Sequence, residues 1–125
     1  MSFQYERDDA NRRVLVTFSG DFSMAEGFAV LERNQSENVG GYAVIYDVRG
    51  WTGPPSISDL RNFMTKEASN VSPTGQRGPI AILAVDPIMY SMACTYAVLG
   101  KPALNIRVFR DRRDADAWLM TESEH

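Results

Sequence analysis

Short apolar runs alternate with amphipathic stretches along this chain of 125 residues. Apolar and polar positions alternate at residues 3–7, and a second apolar run covers residues 13–19 beyond a polar turn. This pattern predicts an opening antiparallel hairpin. Three more strands are predicted, each after a helical stretch, at residues 42–48, 80–85 and 106–110. Strands that alternate with helices indicate a mostly parallel sheet.

Helix-starting signals stand between these strands. Ser23 and Glu26 have capping-box spacing, in which the two side chains satisfy free amides of the first turn. The helix that follows has one apolar face, made of Met24, Phe28 and Leu31. A second helix is predicted over residues 56–69, with an apolar face of Ile57, Leu60 and Met64.

The third predicted helix, residues 87–99, is apolar on nearly all sides. Asp86 is placed to cap it, with Pro87 at its first position. Because a helix without a polar face cannot lie fully exposed, we expect partial exposure at a homodimer interface or a ligand groove. A last helix opens at Asp111 and docks through Trp118 and Leu119.

Together these elements predict a single α/β domain, residues 1–125, with a five-stranded mixed, mostly parallel sheet and four helices. An apolar fraction of 44% and a charged fraction of 23% are typical of globular proteins. A net charge of −3 provides no broad basic surface for nucleic acid. With neither a signal-peptide pattern nor an apolar run of membrane-spanning length, we expect a cytoplasmic protein without an integral membrane segment.

Four strands of the predicted sheet end in an aspartate: Asp21, Asp47, Asp86 and Asp111. Carboxyl ends of parallel strands share one sheet edge, where ligands usually bind, and hard cations prefer carboxylate oxygens. Helix capping explains Asp86 and Asp111 equally well, and Asp21 and Asp47 could hold adjacent backbone amides. We favour the capping interpretation and predict no metal site. A metal-dependent hydrolase that uses Asp21 and Asp47 is a remote alternative.

Residues that support nucleophilic catalysis are scarce. The one histidine is His125 at the chain end, so Cys94 and the serines lack a base. Cys94 lies in the apolar helix, where a thiol stays protonated and inert. No glycine-rich phosphate loop follows the first parallel strand. The sequence therefore predicts no enzyme and no cofactor.

Residues 49–56 form the most unusual predicted loop. Trp51 stands there among glycines and prolines, at the ligand-prone edge of the sheet. A tryptophan in this setting forms a pocket wall, a partner anchor or a lid over the sheet end. Arg49 beside it could pair with an anionic ligand or with Asp47. In the apolar helix, Met89, Met92 and Tyr96 suit a partner surface or a pocket for an apolar molecule.

The order strand, strand, then helix and strand three times, then a helix, resembles the STAS domain of anti-sigma-factor antagonists and the SpoIIAA-like group. The strand at residues 44–48 reaches Asp47 where the family has Asp-Leu-Ser, and Ser56 begins the next helix. In STAS antagonists a serine at this spacing is phosphorylated, which makes Ser56, with Thr52 nearby, a candidate phosphorylation site. The closing segment from Val108 to Leu119 is also similar to the SpoIIAA-like group.

The resemblance implies a non-enzymatic binding or regulatory domain. We expect it to act on a protein partner through residues 49–56 and the helix at 87–99. The SpoIIAA-like group is similar in structure to the CRAL-TRIO lipid-binding fold, which makes a carrier of a small apolar or lipid-like ligand the alternative. The candidate binding residues are Asp47, Arg49, Trp51, Thr52, Ser56, Met89, Met92 and Tyr96.

Overall fold

A computed structural model describes residues 3–70, 75 and 77–123. Its elements in chain order are β1 (Phe3–Asp8), β2 (Arg13–Asp21), α1 (Met24–Ser36), β3 (Ala43–Thr52), α2 (Ile57–Ser69), β4 (Ile80–Leu83), α3 (Pro87–Gly100), β5 (Ile106–Phe109) and α4 (Arg112–Ser123). His125 lies outside the described residues.

The sheet has five strands in the order β1-β2-β3-β4-β5. β1 runs antiparallel to β2, and every other neighbouring pair is parallel. The predicted hairpin and the predicted mixed sheet are therefore confirmed. The carboxyl ends of β2, β3, β4 and β5 share one edge of the sheet, as parallel pairing requires.

Helices cover the two faces of the sheet unequally. Because alternate residues of a strand point to opposite faces, Val44 and Tyr46 join the larger core, while Ile45 joins the smaller one. The larger core lies under α1, α2 and α3. The smaller core is closed by α4, through Ala115 and Leu119. The larger core contains the candidate site.

Three details of the predicted elements are wrong. β3 continues to Thr52, so the first four residues of the predicted loop are strand; residues 50–52 pair with residues 19–21 of β2. β4 ends at Leu83, and Val85 is 53% exposed because it lies past the last sheet pairing. Ile57 is 42% exposed because it is the first residue of α2. The buried face of α2 instead comprises Leu60, Phe63, Met64 and Glu67.

The predicted capping roles of the Ser23, Asp86 and Asp111 side chains are confirmed. An Asp86 carboxylate oxygen accepts from the amides of Ile88 and Met89, at 3.1 and 3.0 Å. Asp111 accepts from the amide of Asp114 at 2.9 Å, and Ser23 caps α1. Each cap satisfies amides that have no partner inside the helix. In the part of the chain that the structure describes, no helix has the length and apolarity needed to cross a membrane.

Candidate functional site

A cavity of about 90 Å³ lies between the sheet and helices α1, α2 and α3. Its wall is almost entirely hydrocarbon and aromatic. The lining residues are Phe18, Gly27, Val30, Leu31, Tyr46, Val48, Trp51, Pro55, Leu60, Phe63, Glu67, Ile82, Met89, Met92, Ala93 and Tyr96. Among these residues, Trp51 and Met92 are half-buried and the others are buried. The opening of the cavity therefore lies between the end of β3 and α3.

A β-bulge turns Trp51 toward this cavity. Thr17 pairs with Asp47 and Ser19 pairs with Gly50, so β3 advances three residues while β2 advances two. The extra residue reverses the alternation of side chains along β3. Trp51 consequently shares the cavity face with Tyr46, whereas strict alternation would place it on the face of Asp47.

Aromatic rings fix the position of Trp51. Its ring centroid lies 4.2 Å from that of Phe18 and 5.0 Å from that of Phe22, the latter edge to face. Phe22 in turn contacts Phe63 on α2, with centroids 6.1 Å apart. Offset and edge-to-face pairs of this kind add to the stabilisation from burial. The indole is thus held as one wall of the cavity.

Gly27 allows α1 to approach α2 at the cavity. A Cβ atom at this position would lie 2.5 Å from the Cε1 atom of Phe63. Because real Cβ contacts are longer, a side chain here would displace the Phe63 ring. The glycine therefore maintains the wall that Phe63 forms.

A chain of hydrogen bonds crosses the core beside the cavity. The Tyr5 hydroxyl donates to Asn34 Oδ1 at 2.7 Å, and Asn34 Nδ2 donates to the Tyr46 hydroxyl at 3.1 Å. Tyr46 donates to Glu67 Oε1 at 2.8 Å, and Arg77 donates to Glu67 Oε2 at 3.0 Å. The hydrogen bonds from Tyr5, Asn34 and Tyr46 all run in the direction of Glu67, and Arg77 donates to Glu67 from the other side. This direction suits an ionised carboxylate, which only accepts.

Burial perturbs the ionisable groups of this chain. It raises the pKa of the Glu67 carboxyl, an effect that Arg77 and the hydrogen bond from Tyr46 oppose. It also raises the pKa of Tyr46 well above the usual tyrosine value, with the Glu67 charge acting in the same direction. Burial and the Glu67 charge also raise the pKa of Tyr96 on α3. Both tyrosines therefore stay protonated at neutral pH.

α3 supplies the remaining wall of the cavity and two exposed apolar side chains. Met89 and Tyr96, both on its buried face, line the cavity, and Met92 borders the opening. On the opposite side, Ile88 is 59% exposed and Val98 is 65% exposed. The predicted partial exposure of this helix is confirmed, whereas its use as a homodimer interface stays a prediction.

Eight binding residues were predicted from the sequence. Four of them, Trp51, Met89, Met92 and Tyr96, line one cavity. The other four, Asp47, Arg49, Thr52 and Ser56, lie outside it. Asp47 accepts from the Arg49 guanidinium at 2.9 Å, on the sheet face opposite the cavity.

The two candidate phosphorylation positions are exposed on the carboxyl edge. Thr52 donates to Asp21 at 2.7 Å. Ser56 caps α2 in a reciprocal capping box with Asp59.

The four strand-end aspartates are each engaged within the chain. Asp86 and Asp111 cap helices, Asp47 binds Arg49, and Asp21 binds Thr52. Over residues 3–70, 75 and 77–123, no group of three or more His, Cys, Asp or Glu side chains is placed to hold a metal ion.

Sequence reasoning missed the polar pair at the centre of the core. Glu67 follows Leu60 and Phe63 at helical spacing, so a carboxylate on the apolar face of α2 was the available signal. Its partner Tyr46 lies in the middle of an apolar strand. Phe18 and Phe63 were also missed as cavity residues, because their roles depend on which helix covers which strand.

A search of solved structures shows what this fold resembles. One similar chain is an uncharacterized protein of the DUF3478 family with a SpoIIAA-like fold, from Shewanella loihica PV-4. The two chains superpose with a TM-score of 0.64 and are 15% identical, over 94% of this chain and 91% of that chain. The chain therefore has the SpoIIAA-like, STAS-type α/β fold that the order of its elements predicts.

Two comparisons of the sequence with known proteins found no match. No protein-family model matches the chain, and no curated protein matches it.

Proposed function

We propose that this protein is a non-enzymatic binding domain that holds a small apolar molecule in the cavity between β3 and α3. The observation that carries the proposal is the cavity itself, about 90 Å³, lined mostly by buried side chains and open between the end of β3 and α3. Small-molecule sites are typically concave, mostly apolar and supplied with few polar groups.

The chemistry of the wall supports an apolar occupant. Aromatic rings and the thioethers of Met89 and Met92 face the space, and thioethers adapt to irregular shapes. Tyr46 and Glu67 bring polar atoms to the wall, but they are hydrogen-bonded to each other. The other polar groups of the lining side chains are the Tyr96 hydroxyl and the Trp51 Nε1, which is buried without a hydrogen-bond partner among the described residues. A wall of this composition favours a hydrocarbon occupant.

The opening also favours binding. Trp51 and Met92 border it and are half-buried, so a molecule can reach the cavity from this side. The Met92 thioether has several rotamers and can turn aside while the Trp51 ring stays in place.

Tryptophan fluorescence tests the proposal because the two indoles lie on opposite faces of the sheet. Trp51 lines the cavity, and Trp118 packs against Phe109 in the smaller core. The Trp118→Phe variant emits only from Trp51, and the Trp51→Phe variant emits only from Trp118. Bromobenzene is the probe, since its heavy atom quenches a neighbouring indole.

We expect saturable quenching by bromobenzene in the Trp118→Phe variant and weak, linear quenching in the Trp51→Phe variant. Equal, linear quenching in both variants would contradict the proposal. Native mass spectrometry of the freshly purified protein then identifies a natural occupant as a mass that denaturation releases.

A second candidate function is regulation through a protein partner, as the STAS-type fold suggests. The observation that favours it is the exposure of Val85 and Ile88, at 53% and 59%, on the carboxyl edge of the sheet. The two residues are three apart in sequence, and exposed apolar side chains that form one contiguous patch mark interaction sites. Ser56 and Thr52 lie on the same edge, and a phosphate there would change its charge.

Self-association tests one form of this candidate. Light scattering of the native chain and of a Val85→Ser, Ile88→Ser double variant would show a dimer that the double variant loses. A monomer at all concentrations would exclude a homodimer through this patch.

A further inference from the structure

We infer that the cavity takes an uncharged, hydrocarbon-like molecule of about one ring in size, and that Glu67 sets this selectivity by excluding carboxylates. The inference rests on the proposed function, since it specifies the ligand class of the same cavity. A carrier could hold neutral hydrocarbons or fatty-acid-like anions, and the inference assigns the cavity to neutral hydrocarbons.

Glu67 is the one charged side chain among the described residues that line the cavity. Its side chain is 1% exposed, and both carboxylate oxygens are engaged, Oε1 by Tyr46 and Oε2 by Arg77. Arg77, which balances its charge, is not one of those lining residues. The negative end of the ion pair therefore lies nearer the cavity than its positive end.

A carboxylate inside the cavity would lose its hydration, and the nearer negative end of the ion pair would add to this cost. No lining side chain that the structure describes carries a positive charge to compensate. An anionic ligand would have to leave its carboxylate outside the opening.

A cation gains little from the same carboxylate. Arg77 already neutralises Glu67 at 3.0 Å, and Tyr46 occupies its other oxygen at 2.8 Å. A cation in the cavity would lose hydration without an unpaired counter-charge. An uncharged molecule avoids both costs.

The volume sets the size of the occupant. The cavity measures about 90 Å³. An engineered apolar cavity of ~150 Å³ accepts benzene. Met89 and Met92 can move to widen the space, since unbranched thioethers have several rotamers. One ring or a short branched chain fits once these two side chains move aside, whereas a long acyl chain does not fit inside the cavity.

Toluene and benzoate test the inference, because they share a ring and differ in charge. Titration calorimetry at pH 8 compares the native chain with the variants Glu67→Gln and Glu67→Gln/Arg77→Gln. The native chain should bind toluene and give no benzoate binding at millimolar concentration. Glu67→Gln removes the negative charge nearest the cavity, so benzoate affinity should rise roughly tenfold or more. The double variant, which carries neither charge, should keep toluene binding and show a smaller gain in benzoate affinity.

The outcomes separate the two proposals. If the native chain fails to bind toluene, the proposed function fails. If it binds toluene and also binds benzoate with similar affinity, the proposed function stands and the ligand class is overturned. Unchanged selectivity in Glu67→Gln would overturn the role of Glu67. If Glu67→Gln does not fold, the ligand class is still decided by the affinities of the native chain for toluene, benzoate and neutral benzamide.

Discussion

Tyr46 on β3 donates its hydroxyl to the Glu67 carboxylate on α2 over 2.8 Å, inside a mostly apolar core. Tyr46 is 8% exposed and Glu67 is fully buried. A buried carboxylate costs stability unless each oxygen is paired, and here Arg77 completes the pairing. The bond fixes the position of α2 on the sheet and forms part of the cavity wall.

Removing the Tyr46 hydroxyl should destabilise the fold. The Tyr46→Phe variant leaves Glu67 Oε1 and the Asn34 amide without a partner. We expect a loss of about 1–3 kcal/mol in the free energy of unfolding, measured with urea. The control is Tyr42→Phe, which removes a hydroxyl bonded to the exposed Asp9, and should cost about 0.5 kcal/mol or less. Equal costs for the two variants would contradict this account.

The buried tyrosines predict instability in alkali. Burial raises the pKa of Tyr5 to about 12 and that of Tyr46 well above the ordinary value of 10.0. Because these folded-state pKa values exceed the unfolded ones, the native state keeps protons that the unfolded state loses above pH 10. The contribution of these tyrosines to the free energy of unfolding is complete below pH 10. Above pH 10 it declines by up to about 1.4 kcal/mol per pH unit for each tyrosine.

Urea unfolding at pH 9, 10 and 11 measures this decline. The Tyr46→Phe variant should lose stability less steeply than the native chain across this range. Parallel curves would show that Tyr46 does not contribute to the alkaline loss.

The Arg77–Glu67 pair should matter far more than a surface pair. Arg77→Gln leaves a buried carboxylate without its counter-charge, which we expect to cost about 2 kcal/mol or more at pH 7. The cost should shrink toward pH 5, because burial raises the pKa of Glu67 and an unpaired Glu67 takes up a proton more readily. Arg112→Gln breaks an exposed bond to Asp116 and serves as control, with a change within about 0.5 kcal/mol. A similar loss in both variants would contradict the prediction.

The bulge that turns Trp51 depends on Gly50. A Cβ atom at residue 50 would lie 2.7 Å from the carbonyl oxygen of Phe18, so Gly50→Ala must push β3 away from β2. In a Trp118→Phe background, we expect the near-ultraviolet circular dichroism of Trp51 to weaken.

Gly53→Ala is the matched control for this effect. Its φ of +82° makes alanine strained, but nothing lies within 4 Å of the new methyl group. It should cost about 1 kcal/mol through the backbone and leave the Trp51 signal intact. If both variants change the Trp51 signal alike, the close contact at Gly50 is not what positions the ring.

The fold was predictable because its signals are local. Period-2 and helical patterns locate the elements, and Ser23 and Asp86 cap helices as their neighbours predict. The end of β3 was not predictable in the same way. Glycine and proline near Trp51 indicate a loop, and pairing with residues 19–21 of β2 overrides that local preference.

The site was predictable only where single residues indicated it. Trp51, Met89 and Met92 stand out by type and position, and the structure places all three on the cavity. Glu67 does not stand out, since a glutamate in an amphipathic helix is ordinarily exposed. Its role follows from the contact of α2 with β3, which no local pattern gives.

The most direct test of the central claim, that the cavity binds an apolar molecule, is the dissociation constant of toluene in a chain whose cavity is filled. Ala93 lines the cavity on α3, and Ala93→Leu would occupy most of the space. Ala117→Leu adds the same side chain on the exposed side of α4 and is the control. Ala93→Val is a smaller filling for the case in which leucine overpacks the core.

Calorimetric titration should show toluene binding to the native chain and to Ala117→Leu with the same affinity. Binding should be lost in Ala93→Leu and weakened in Ala93→Val. Equal toluene affinity in the native and filled chains, or no binding to the native chain, would contradict the account.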